Sequence, residues 1–561
     1  MTEPEKRYLP MQYDKKGNPY FACHLSPTEQ TNRAYCTVPP TDVIPVIFVP
    51  GFMGSNLKTS TSVRPFLSGD VCWMPDDTKL MASKVAPLIA SQRQLLFSPR
   101  TTLVTSADKL PRHLMQEFNF TGQDYLSLDA KVIDNLLDEF KRRGWGEVYL
   151  GSYGRVLGSL EAQLNRIYRQ GKLEESWRDV MKQVNAIFED RSKNNEFRTR
   201  HGLPAQENSR AKGWSPLTEG DLKSASRHWF PVHAFGYNWL QSTEDTGKAL
   251  ARRIRDVIGN YAKQGYACAK VILVTHSMGG LVARAACHPK IGGAENSVLG
   301  VVQGVCPTAG MPAIYQRMRT GHAKGIFLSF VKNKVAEIMG TNASLVTPVL
   351  GNSPGALELL PTTAYPPGWL AIDGSNALPK ADPYMEIYSE RHAWWKLVKE
   401  ELLDPAKQGN PNQSMWEDYL DNVDLAKALH TKILVDRHHP KTYAHYCVAQ
   451  DDETVAGVRW RYRANGTKNA TPSGSFQLVN DDLKGEVKLR AADSSQHAFV
   501  LERSGRTTGD GSVPAVSAAV VEKSVVFSAA LATRFEHSDS YENPEVIALT
   551  LHNVTRLAAQ T

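Results

Sequence analysis

Short apolar runs closed by turn residues recur along the chain, separated by amphipathic stretches. Val43-Ile44-Pro45-Val46-Ile47-Phe48-Val49 is apolar throughout, which predicts a buried strand with Pro45 near its start. Pro50-Gly51-Phe52-Met53-Gly54-Ser55 then predicts a tight turn. From Ile133 to Arg143, residues Ile133, Leu136, Leu137 and Phe140 fall on one face of a helix. Phe230 to Phe235 predicts a second strand. Ser242-Thr243-Glu244-Asp245 has the form of a helix N-cap with an acid three residues on. Behind it Leu250, Ile254, Val257, Ile258 and Tyr261 share one helical face. Lys270 to Val274 and Val298 to Val305 predict two further buried strands, with a small-residue helix from Leu281 to Ala286 between them.

Strands alternating with helices between 230 and 306 predict an α/β fold, a mostly parallel sheet with crossover helices. Thr442 to Val448 adds a strand. Val458-Arg459-Trp460-Arg461-Tyr462-Arg463 alternates with period two and leads into Asn465-Gly466, the mark of an antiparallel β insertion over 452–505. A helical pattern from Leu160 to Phe188 is followed by a very polar stretch, Asp190 to Lys212. The expected division is an irregular arm over 1–40, a core built from 41–60, 130–154, 226–310, 440–451 and 506–561, inserted cap segments at 61–129 and 155–225, and a cap or lid region over 311–439. Met311, Ile314, Ile326, Phe327, Leu328 and Phe330 are candidate lid residues.

Composition narrows the classes. Of 561 residues, 42% are apolar and 22% charged, the balance of a globular chain. A formal charge of +7 over this length suits an anionic membrane surface, and without a dense Lys/Arg tract it gives no reason to expect a nucleic-acid partner. Seven cysteines without a C-x-x-C pair argue against a disulfide scaffold or a zinc-cysteine site, and leave one bridge open, Cys23 to Cys36. The adjacent His438 and His439 lack a second pair at metal spacing, so no metal or other cofactor is expected, with calcium left open near Asp451-Asp452-Glu453. Met1 to Pro10 lacks an apolar signal core and no uncharged apolar run reaches membrane-spanning length. The expectation is synthesis in the cytoplasm without a signal peptide or a transmembrane helix.

The chemistry concentrates in Val271-Ile272-Leu273-Val274-Thr275-His276-Ser277-Met278-Gly279-Gly280. A strand, a sharp turn with serine at its apex and an immediate helix make a nucleophile elbow, which lifts the hydroxyl of Ser277 clear of the sheet. Thr275 stands where the usual G-x-S-x-G pattern has its first glycine. Acyl transfer also needs donors for an oxyanion: one is the amide of the residue after the nucleophile, Met278, and the other lies in a loop after an earlier strand, which points to Phe52. In this fold the acid and then the histidine follow the serine. Asp510 between two glycines is the candidate acid, with Asp373 its rival, and His537 is the candidate base. His552 falls inside a helical pattern and reads as structural.

Val49-Pro50-Gly51-Phe52-Met53-Gly54-Ser55, Gly236-Tyr237-Asn238-Trp239, Leu357-Glu358-Leu359-Leu360-Pro361 and Gly509-Asp510-Gly511-Ser512-Val513 resemble segments of the lecithin:cholesterol acyltransferase and lysosomal phospholipase A2 group. His276-Ser277-Met278-Gly279-Gly280 resembles the elbow of inositol-deacylase-like lipases. Together with the large insertions, the chain is most similar to bacterial type VI secretion lipase effectors. Asn238 in place of aspartate and Thr275 in place of glycine depart from the commoner patterns. The resemblance implies an α/β-hydrolase core, phospholipid acyl esters as substrate, a target membrane, delivery as a toxin into another cell and a cognate immunity protein as partner. A lipid acyltransferase on the same three side chains, or a lipid-binding protein without catalysis, are the alternatives.

Overall fold

The computed structural model describes residues 6–9, 12–14, 19–21, 33–36, 40–114, 130–169, 171–189, 214–322, 336–409, 412–435, 437–451, 454–463, 475–504 and 507–561. The strands that carry the site are β1 (Val46–Val49), β2 (Val232–Ala234), β3 (Val271–His276), β4 (Val298–Gly304), β6 (Thr442–Cys447) and β11 (Phe527–Leu531). They form one sheet in the order β2-β1-β3-β4-β6-β11, every neighbouring pair parallel. All residues of β1 and β3 are buried, which is why β1 and the Val271–Val274 part of β3 read as unbroken apolar sequence instead of alternating.

Helices cover the sheet. Helix α1 (Leu150–Leu164) runs through the boundary expected at 154/155. Its Glu161 accepts the Val232 amide of the edge strand at 2.8 Å and pairs with the buried Arg143 at 2.9 Å. Helix α2 (Glu175–Glu189) packs on the C-terminal helix α8 (Pro544–Ala558), so the described part of 155–225 is tied to the core. Helix α3 (Thr243–Lys263) approaches α4 (Gly279–Cys287) so closely that a Cβ on Gly247 would lie 2.6 Å from that of Ala285. Further helices along the chain are α5 (Ala313–Thr320), α6 (Ala343–Leu350) and α7 (Met415–Ala428).

A second sheet, β5-β7-β10-β9-β8, joins β5 (Leu370–Ile372) to β7 (Val458–Arg463), β8 (Phe476–Asp481), β9 (Glu486–Ala491) and β10 (Gln496–Arg503). It is antiparallel except where β5 meets β7. Asn465-Gly466 lies outside the described residues, as do Cys23 of the open bridge, Asp452 and Glu453 of the calcium candidate, and the lid candidates Ile326, Phe327, Leu328 and Phe330. The other two lid candidates, Met311 and Ile314, are buried in the core. Among the described residues no helix is long and apolar enough to cross a membrane.

The start of α3 carries a buried acid. Glu358 accepts the Thr243 amide at 2.8 Å and also the Thr243 hydroxyl. Burial pushes its carboxyl from 4.5 up to about 8, against the opposing pull of those two bonds. A raised folded-state value means the native chain holds a proton that the unfolded chain has released. The contribution to stability is complete below about 4.5 and is lost as pH rises through about 8. Glu358→Gln keeps an oxygen for both Thr243 donors and removes the titration. Its melting temperature is expected to match wild type at pH 5 and exceed it at pH 9, by the equivalent of roughly 3 kcal/mol. Thermal melts at the two pH values check this.

Candidate active site

Strand β3 ends at His276 and the backbone turns at once into α4. Ser277 at the apex has φ of 53°, left-handed backbone that a residue with a Cβ adopts only when its surroundings impose it. The Ser277 amide donates to Gly304 O at 2.9 Å, which fixes the turn to β4. The crowding falls at Gly279, where a Cβ would sit 2.3 Å from Val49 O, and at Gly51, where it would sit 2.7 Å from His276 Nδ1. Thr275 is not at the tight point. It lies one step back in the strand, fully buried, and its carbonyl accepts from the Tyr541 hydroxyl at 3.0 Å.

Three side chains from distant segments meet there. Ser277 Oγ lies 2.8 Å from His537 Nε2, and His537 Nδ1 lies 2.8 Å from Asp510 Oδ2. Asp510 is 1% exposed, so its carboxylate is shielded and aimed at the imidazole. Its other oxygen accepts the amides of Val513 at 2.7 Å and Ser512 at 3.2 Å. The loop is fastened on both sides: Gly509 N donates to Ala449 O at 3.0 Å, and Gly511 N to Thr454 Oγ1 at 2.8 Å. His537 opens a 3-10 turn, His537–Glu542, ahead of α8. The order is hydroxyl, imidazole, carboxylate, each within hydrogen-bond reach of the next. That arrangement can pass a proton from serine to histidine while the acid holds the ring.

The rival acid is elsewhere. Asp373 accepts from Arg459 Nε at 2.6 Å and from the Tyr462 amide at 3.0 Å, within the second sheet. His552 is buried in α8, where its Nδ1 meets Asn553 at 3.1 Å. Among the described residues no group of three or more His, Cys, Asp or Glu could hold a metal ion.

Phe52 and Met278 flank the serine from the turn after β1 and from the N-terminus of α4. Among the described residues, neither backbone N–H is used by a hydrogen bond of the fold. Two free donors, one in that turn and one at a helix start, are what a developing oxyanion requires. The Gly236–Trp239 segment supports the first of them. The Tyr237 hydroxyl donates to Pro50 O at 3.0 Å and Trp239 Nε1 to Ser55 O at 3.3 Å. Asn238 Nδ2 donates to Thr102 O at 3.0 Å, a bond that an aspartate could not make.

A second layer is absent from the motif. His276 Nε2 meets the carbonyl of His537 at 2.8 Å, His276 Nδ1 meets the Tyr153 hydroxyl at 3.0 Å, and that hydroxyl accepts the Gly51 amide at 3.2 Å. The His537 carbonyl can only accept, so His276 donates from Nε2, and Nδ1 of the neutral ring then accepts from the Tyr153 hydroxyl. Burial, and then the neighbouring His537, hold the His276 pKa well below its usual value, so the ring stays neutral. One hydroxyl thereby links the loop of Phe52, the residue before the serine and the backbone of the base. Tyr153→Phe is expected to lower kcat about tenfold with KM unchanged, the worth of one such bond. It should also lower stability by about 1–3 kcal/mol through two orphaned buried groups. Steady-state kinetics on a soluble ester and a thermal melt measure the two effects.

The PGAP1-like alpha/beta domain family matches residues 239–325, a stretch that contains the elbow. No curated protein matches the sequence. Among solved structures, the crystal structure of the Tle4-Tli4 complex contains a chain 27% identical to this one. The match covers 92% of this chain and 98% of that one, with a TM-score of 0.71. The phospholipase PlaB from Legionella pneumophila aligns at 11% identity over 57% of this chain and 77% of its own, and a TM-score of 0.14 gives that alignment no weight. With a parallel sheet, a serine elbow and a structural likeness over nearly its whole length, the chain has an α/β-hydrolase fold, and it resembles the lipase effectors of bacterial type VI secretion to which its motifs point.

Proposed function

We propose that the chain is a serine lipase of the phospholipase A type, with Ser277 as nucleophile, His537 as general base and Asp510 as the residue that orients it. The observation that carries this reading is the pair of 2.8 Å contacts, Ser277 Oγ to His537 Nε2 and His537 Nδ1 to Asp510 Oδ2, at a serine held in left-handed backbone. His537 takes the hydroxyl proton as Ser277 attacks the ester carbonyl. The Phe52 and Met278 amides receive the oxyanion, each worth about 3 kcal/mol by the usual cost of deleting one such donor. The imidazolium returns its proton to the leaving alcohol, and water releases the fatty acid by the same steps in reverse.

The substrate class, membrane phospholipid, follows from the resemblance together with an apolar cavity beside Phe52. Delivery into a target cell as a toxin, and capture there by an immunity protein, follow from the likeness to a chain solved as the Tle4-Tli4 complex. Mass spectrometry of the products from defined phospholipids tests the reading. Untreated protein is expected to release fatty acid and lysolipid, and protein treated with a fluorophosphonate probe to release neither. Intact lipid after incubation with untreated protein would overturn it.

A further inference from the structure

His537 reaches the serine from an exposed segment. Between β11 and α8, residues Ala532, Arg534, Glu536, Ser538 and Asp539 face solvent, while Phe535, Ser540 and Tyr541 are buried. A segment with few buried contacts opens easily, and a displacement of about 1 Å at a reacting group can cost roughly a hundredfold in rate. Holding His537 Nε2 at 2.8 Å from Ser277 Oγ therefore requires fastening from the core side.

Two bonds of that segment run to the residues immediately before the nucleophile. His276 Nε2 donates to the His537 carbonyl at 2.8 Å, and the Tyr541 hydroxyl donates to the Thr275 carbonyl at 3.0 Å. They grip the 3-10 turn His537–Glu542 near both of its ends. Arg155 of α1 adds a bond from the exposed side, donating to the Glu542 carbonyl at 2.8 Å.

The core makes room for the tyrosine. Tyr541 is fully buried, and a Cβ on Gly304 would lie 2.6 Å from its hydroxyl. Its ring stands edge-on to Phe48 at 5.4 Å and to His445 at 5.9 Å. Burial raises its pKa, so the hydroxyl keeps its proton and donates, and the Thr550 hydroxyl of α8 also meets it. Neither Tyr541 nor His276 lines the cavity beside Phe52.

We propose that Tyr541 and His276 are positioning residues that fix the turn of His537 against the strand carrying Ser277, so that base and nucleophile stay in register. The inference rests on the lipase reading and goes beyond it: the two residues ahead of the serine, together with the Asp510 loop, set the catalytic distance.

Tyr541→Phe keeps the ring and removes one hydroxyl. Its kcat on a soluble ester is expected to fall about tenfold or more with KM unchanged, and the rate of labelling by a fluorophosphonate probe to fall by the same factor. The loss should be equal for short and long acyl chains, because neither residue lines the cavity beside Phe52. His276 gives an independent test. His276→Gln keeps an N–H for the His537 carbonyl and should stay within about threefold of wild type, whereas His276→Leu should lose about tenfold or more. Thermal melts confirm that each variant is folded. A Tyr541→Phe protein that melts lower with unaltered kcat and labelling would make the tyrosine purely structural and overturn the proposal. So would a loss that appears in KM or varies with acyl length, or folded His276→Gln and His276→Leu proteins of equal rate. Failure of the probe to label the wild-type protein would overturn the lipase reading and this proposal with it, whereas a labelled wild type with unaffected variants overturns this proposal alone.

Discussion

Ser277→Ala is expected to slow ester cleavage by about 10⁶-fold, the loss seen when a nucleophile of this type is removed, while the protein stays folded. The reason lies in the elbow. Ser277 holds φ of 53° because its amide is bound to Gly304 and because Gly279 lets the helix pass beneath Val49. Alanine carries the same Cβ and the same backbone strain, so only the hydroxyl and its 2.8 Å contact with His537 are lost. The melting temperature should therefore move by no more than the equivalent of about 1 kcal/mol. Ser277→Gly should be equally inactive yet more stable by about 1 kcal/mol, since glycine takes left-handed backbone without strain. Turnover of a soluble ester, a thermal melt and labelling by a fluorophosphonate probe measure the three quantities. An alanine variant that keeps a tenth of the wild-type rate would remove Ser277 from the chemistry.

How much of this was legible along the chain depended on the range of the interaction. Strands β1, β3 and β4 announced themselves because a strand buried on both faces is apolar along most of its length, and the elbow because its strand, serine and glycines are contiguous. Asp510 and His537 could be named as candidates because the fold restricts their order, but the distances that join them arise from three separate crossovers. Tyr153 left no trace. It sits 123 residues before His276, in a stretch of helix whose other faces are also buried, and nothing in one sequence separates a packed tyrosine from one that bridges two loops. Arg317 and Arg319 read alike as basic residues near a helix end. Only the fold distinguishes them, by placing Asp481 against the second and not the first. Helix α1 is continuous from Leu150 to Leu164 because its buried face continues to Leu164.

Asp510→Asn, a change of one atom, is expected to cost about 10⁴-fold in kcat, less than the loss expected for Ser277→Ala. Its effect follows from how the carboxylate is held. One oxygen accepts two backbone amides, from Val513 at 2.7 Å and Ser512 at 3.2 Å, and the other accepts from His537 Nδ1 at 2.8 Å. An asparagine must keep its oxygen toward the two amides, since turning it would set its NH₂ against two donors in a buried site. The NH₂ then faces His537 and can only donate. Nδ1 becomes an acceptor, the ring proton moves to Nε2, and the nitrogen that should receive the Ser277 proton already carries one. Asp510→Ala leaves the ring free to adopt either tautomer, so the isosteric asparagine should be at least as damaging as the truncation. Steady-state kinetics of the two variants on a soluble ester, with thermal melts to confirm folding, decide the point. An asparagine variant with near wild-type kcat would mean that Asp510 fastens the loop and takes no part in orienting His537.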